Sequence, residues 1–140
     1  MAKKTLEAFD RALKLLGSRE KSRAQLEAAL IQRGHPPQEV QAAIARCATL
    51  GYLDDQRAGL ALAQRLFAEN RSNKEVQRRL EAKGFDPVIA DAVPHDELAS
   101  ARRVLNQKRV GGVKAAKLLL ARGFSEELVF TLVDVSHVGE

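Results

Sequence analysis

Few of the 140 residues have the type and spacing to do chemistry. Asp54 and Asp55 form the one tempting carboxylate pair. Adjacent residues on a helix do not face each other, and a cation site needs further ligands at short spacing. No His, Cys or third acid stands close enough in sequence to supply them, so the pair reads as the acidic start of a helix, where the dipole favours negative charge. His35, His95 and His137 are far apart and in unlike settings, which argues against a zinc site or a catalytic histidine. Cys47, the single cysteine, lies in an apolar helical pattern and reads as a small buried hydrophobe. Gly111-Gly112-Val113-Lys114 lacks both the glycine spacing and the preceding strand of a phosphate loop. It reads as a turn between helices, although a glycine-nested helix start can hold one phosphate through backbone amides. No Gly-x-Ser-x-Gly, His-Glu-x-x-His or dinucleotide fingerprint is present. The reading is therefore a binding protein, not an enzyme, with no metal and no cofactor.

The basic residues are the serious candidates. Lysine and arginine exceed the acids by 23 to 18, a formal charge of +5 that favours a polyanionic partner. The excess is local. Between Ala99 and Ser125 stand Arg102, Arg103, Lys108, Arg109, Lys114, Lys117 and Arg122 with no acid, while Glu126, Glu127, Asp134 and Glu140 make the C-terminus acidic. Arg71, Lys74, Arg78 and Arg79 form a second cluster. Roughly half of such charges are expected to be ordinary solvated helix faces. The first six of the acid-free block, with the second cluster, are the expected contacts to nucleic-acid phosphates. With aromatics at only 4% and no Trp, recognition would be electrostatic and tolerant of sequence.

These residues must be carried on helices. Ala, Leu, Arg, Gln, Glu and Lys dominate, the residues that lose least on entering a helix, and no stretch keeps the period-two alternation of a strand. One unit is written three times. Leu26 and Leu30 precede Gly34, Val76 and Leu80 precede Gly84, and Ala115 and Leu119 precede Gly123, each pair eight and four positions before its glycine. A basic residue stands before each glycine and a ring after it. This describes a short amphipathic helix closed by a glycine cap, the ring folding back on the buried stripe. Ser22-Arg-Ala-Gln25 and Ser72-Asn-Lys-Glu75 read as capping boxes at the helix starts, where the third copy has Gly111-Gly112. A second helix follows each glycine, at Pro36-Pro37, Asp86-Pro87 and Ser125-Glu126, burying Val40 and Ile44, Ile89 and Val93, and Leu128 and Leu132. A longer helix precedes each capped one: about Leu6 to Leu16, with Leu6, Phe9, Leu13 and Leu16 inward, then Asp55 to Glu69, then Asp96 to Lys108. The expected fold is all-α, tandem three-helix repeats of about nine helices, elongated. The expected domains are residues 1–53, 54–94 and 95–140.

No apolar run approaches the ~20 residues that span a bilayer. Met1-Ala2-Lys3-Lys4 leads into an amphipathic pattern, not a signal-peptide core. With one cysteine, the expectation is a cytoplasmic protein without membrane contact, monomeric in solution.

Ser22-Arg-Ala-Gln-Leu26 with Leu30 and Gly34, then Leu50-Gly51-Tyr52-Leu53-Asp54-Asp55, then Val76, Leu80 and Lys83-Gly84-Phe85 resemble the RecX family of bacterial recombination regulators. The order and spacing of the blocks fit over nearly the whole chain, and Gly51, Tyr52, Leu53, Asp54 and Asp55 belong to the most specific of them. The resemblance implies three-helix repeats, binding in the groove of the RecA filament on single-stranded DNA, and inhibition of strand exchange and of the filament's ATPase, with no catalytic residues. One departure is Ala58, where the family often has an aromatic. The residues alone leave two other readings open: a stand-alone helical DNA-binding protein, or a protein-binding scaffold without DNA contact.

Overall fold

The structure, a computed structural model, describes residues 3–18 and 21–133. Among them are α1 (Lys3–Ser18), α2 (Arg23–Gln32), α3 (Pro37–Thr49), α4 (Asp55–Ala68), α5 (Asn73–Ala82), a 3-10 helix (Pro87–Ala92), α6 (Glu97–Lys108), α7 (Gly112–Ala121) and α8 (Glu126–Leu132), and no strand. The fold is all-α, as the composition and period lead one to expect. The described helices gather into two compact units, one of residues 3–18, 21–61 and 80–86, the other of residues 62–79 and 87–133, and the division falls within α4 and within α5.

The first unit is built around Leu26, Leu30, Val40, Ala43, Ile44 and Cys47, all fully buried. Each buried leucine or isoleucine adds about 1.5–3 kcal/mol of transfer free energy. Their 3.6-residue spacing is why α2 and α3 form where they do. Ser22 starts α2 with a complete capping box: its Oγ accepts from the Gln25 amide at 3.0 Å, and its own amide donates to Gln25 Oε1 at 3.0 Å. On α1 the buried positions are Ala8 and Ala12, not Leu6, which is 49% exposed. Small side chains let α1 pack closely on α3, with Phe9, Leu13 and Leu16 at the core margin and Arg46 over the Phe9 ring at 5.2 Å. After α3, the amides of Tyr52 and Leu53 both donate to the Cys47 carbonyl, at 2.9 and 3.2 Å, and this turn returns Leu53 to the core.

The core of the second unit holds Val104, Leu119, Phe124 and Val129. Leu30, Leu80 and Leu119 are each fully buried, and the amide of the ring residue beyond each glycine (His35, Phe85, Phe124) donates back to that leucine's carbonyl. Phe85 and Phe124 are themselves buried. Two local expectations shift. Pro87–Ala92 is a 3-10 helix, not an α-helix; Pro94 bars the α conformation from the residue before it and leaves too little chain to propagate one. On α8 the fully buried residue is Val129, with Leu128 and Leu132 at the margin, a one-residue turn of the helix about its axis.

One joint occurs twice, once in each unit. The buried Ser22 hydroxyl donates to the Lys83 carbonyl, and the buried Ser72 hydroxyl donates to the Arg122 carbonyl at 2.8 Å. A β-carbon on Gly84 would stand 2.7 Å from the Ala24 β-carbon, and one on Gly123 2.8 Å from Ser72 Oγ. The glycines thus close their helices at positive φ and also leave room for the start of another helix. A carboxylate completes each joint: Asp55 Oδ1 accepts from the Arg23 amide at 2.8 Å, and Glu97 accepts from the Asn73 amide.

Candidate nucleic-acid interface

The acidic pair has a structural role. Asp54 caps α4, its Oδ1 accepting from the Arg57 amide at 3.1 Å, and Asp55 reaches the start of α2. Asp96 and Glu97 repeat the arrangement at α6, where Asp96 accepts from the Ala99 amide at 3.1 Å. Burial pushes the Cys47 thiol up, away from nucleophile or ligand chemistry. The His95 ring stacks on Phe67 with centroids 3.9 Å apart. His137, Asp134 and Glu140 lie outside the described residues. Among the described residues no group of His, Cys, Asp or Glu could hold a metal, and no helix is long and apolar enough to cross a membrane.

Three arginines of the second unit, Arg71, Arg78 and Arg79, are arranged around Glu75. The capping box expected at Ser72 is half formed: Ser72 Oγ accepts from the Glu75 amide at 3.1 Å, while the Glu75 carboxylate turns to the arginines. Arg78 grips it through Nε at 3.0 Å and Nη2 at 2.9 Å, Arg79 Nε reaches it at 2.8 Å, and Arg71 stands at 3.8 Å. The hydrogen bonds from Arg78 and then Arg79 hold the Glu75 carboxyl at about 2. Arg71 Nε is also 3.0 Å from Glu69. Asn70 sits in the left-handed region that asparagine tolerates, φ +63, at the end of α4, and its Oδ1 accepts from Arg103 Nη1 at 3.2 Å.

These groups border a cleft of about 450 Å³ lined by Glu69, Asn70, Arg71, Glu75, Arg78, Ala121 and Arg122. The two basic clusters of the sequence meet here: Arg71 and Arg78 from one, Arg122 from the other, with Arg103 tied in through Asn70. Three guanidinium groups face two carboxylates in the lining. Lys74 lines a different cleft, beside Asn73, Glu97 and Phe124. Arg102, Lys108, Arg109, Lys114 and Lys117 line neither, and are exposed with no ion-pair partner among the described residues. Arg109 ends α6 in the left-handed conformation, its amide donating to the Leu105 carbonyl at 2.8 Å. The sequence reading left Arg122 out of the phosphate contacts and missed the parts of Asn70, Glu69 and Glu75. Arg122 carried a usable signal, being the basic residue before the third marker glycine.

Residues 8–47 match the family model described as the first three-helix domain of RecX. "Regulatory protein RecX" of Thermus thermophilus is 33% identical over 125 residues, covering 84% of this chain and 84% of that protein. This chain belongs to the RecX family. A relative of the same name from Vibrio vulnificus is 28% identical over 139 residues, covering 89% of this chain and 90% of the relative. The match to the RecX of Legionella pneumophila, 34% identical over 90 residues, spans 64% of this chain but only 60% of that relative's length. The fold is that of the crystal structure of RecX from Lactobacillus salivarius, with a TM-score of 0.77, 18% identity and 94% of this chain covered. The tandem three-helix repeats are thus a family property, and the relatives' name is that of a regulatory protein.

Proposed function

We propose that this protein binds the RecA filament on single-stranded DNA and restrains its strand exchange and ATPase, acting in the cytoplasm as a monomer without catalysis of its own. Three repeats, residues 1–53, 54–94 and 95–140, serve as the binding units. The observation that carries the DNA part of the reading is the convergence of Arg71, Arg78 and Arg122 on one cleft, with Arg103 held beside it. Guanidinium groups matched to phosphate geometry give affinity without base readout. Arg79, Lys74, Arg102, Lys108, Arg109, Lys114 and Lys117 add exposed charge that follows a DNA backbone. The test compares association with a preformed RecA filament and with bare single-stranded and duplex DNA at matched salt. Clear preference for the filament, with affinity falling as salt rises, is expected. Equal or tighter binding to bare duplex would instead identify a stand-alone DNA-binding protein, and salt-insensitive filament binding a scaffold that touches only protein.

A further inference from the structure

We propose that the Tyr52 ring is a stacking platform for one base of a single-stranded nucleic acid, with Lys21 and Arg57 beside it taking the flanking phosphate. This rests on the nucleic-acid part of the function proposed above and assigns it a second site, within the first unit. The backbone of Tyr52 is fixed. Gly51 turns the chain at φ +83, the Tyr52 and Leu53 amides both donate to the Cys47 carbonyl, and Leu53 is anchored in the core. The ring nevertheless stands 54% exposed. A rigidly mounted aromatic gives up burial free energy when left in water and regains it when a flat ligand covers its face.

The surroundings match such a ligand. Tyr52 lines two neighbouring clefts. One, of about 540 Å³, has an apolar floor of Leu13 and Leu16. The other, of about 150 Å³, is bordered by Lys21, Asp54 and Arg57. Arg57 Nη2 lies 3.4 Å from the Gly51 carbonyl, beside the tyrosine turn. The Asp54 carboxylate accepts the Arg57 amide and is tied into the helix start. An exposed ring, an apolar shelf and two cations are the combination that binds a base and its phosphate together. Duplex bases are already stacked and cannot use it, so the ligand is single-stranded.

The chain has one Tyr and no Trp, so its intrinsic emission reports on Tyr52 alone. The experiment titrates the full chain with an oligothymidylate about 12 nucleotides long and with an abasic oligomer of the same length and charge. Tyr52 emission is followed directly, and total binding by the anisotropy of labelled oligomers. Expected are quenching by the oligothymidylate alone and affinity for it at least about fivefold higher than for the abasic strand, the lower end of what one stacked base contributes. Tyr52→Leu should abolish that difference with helicity unchanged, and Tyr52→Phe should keep most of it. Equal binding of both strands with unchanged emission would overturn the stacking site while leaving the phosphate reading in place. Failure of both strands to bind would overturn both.

Discussion

At the scale of single residues, Glu75 shows how one side chain sets the geometry of a basic surface. Its carboxyl is held at about 2 by Arg78 and Arg79, below its ordinary range. A depressed carboxylate stabilises the fold at pH values above its unfolded-state value, and that stability is lost as pH falls toward the folded-state value. Between pH 5 and pH 3 the native protein should therefore lose about 1 kcal/mol more than Glu75→Gln, after allowance for solvent screening of the exposed arginines. Urea unfolding of both proteins at the two pH values measures the difference; parallel losses would show that the ion pairs contribute nothing. Ser72 makes a second residue-scale case. Its buried hydroxyl serves the Glu75 amide and the Arg122 carbonyl at once, whereas Ser125, which is exposed, caps only the Leu128 amide. Ser72→Ala should cost about 1–3 kcal/mol, because two backbone groups lose their bond to a buried hydroxyl, and Ser125→Ala about 0.5–1 kcal/mol. Chemical denaturation of the two variants side by side checks the order.

At the scale of elements, what was legible in the sequence is what repeats along a helix. Leu30, Leu80 and Leu119 stood out by period and all prove fully buried. Replacing any one with Ala should cost about 2–5 kcal/mol, whereas Leu120→Ala, at a 41% exposed position, should stay within about 0.5 kcal/mol. Equilibrium unfolding of the four variants tests the repeat alignment. The departures have local causes. A hydrophobicity pattern weights leucine over alanine, so it named Leu6 where the close approach of helices selects Ala8 and Ala12. A short segment bounded by prolines carries too few positions to distinguish α from 3-10. The joint was out of reach for another reason: Ser22 and Lys83 are 61 residues apart, and Ser72 and Arg122 are 50 apart. Each half was visible locally, the serine as a cap and the glycine as a terminator, but nothing local says that they meet. The same holds for the candidate site, whose two arginine clusters were plain in the sequence while their convergence through Asn70 was not.

At the scale of the whole molecule, function turns on which charges share a phosphate track. Two variants separate the possibilities: Arg71, Arg78 and Arg122 changed together to Gln, and Arg102, Arg103, Lys108 and Arg109 changed together to Gln. Each lost phosphate contact should remove about 0.7–0.9 from the slope of log affinity against log salt. The cleft variant is expected to flatten the slope by roughly two, while helicity is kept because Gln is a good helix former. If only the second variant flattens it, the exposed faces of α6 carry the DNA and the cleft does not. Filament association measured from low to moderate salt gives both slopes.

The twice-used joint also has a direction. Each serine is a hook at the start of a capped helix, and each glycine end is an eye that receives one. Among the described residues, Gly34 is an eye with nothing within 4 Å of the place its β-carbon would occupy, and the third capped helix begins at Gly111 with no side-chain cap to serve as a hook. A longer array could therefore be extended in one direction with the residues already present, by adding a serine-capped unit to meet Gly34. Extension in the other direction would first require a hydroxyl at position 111.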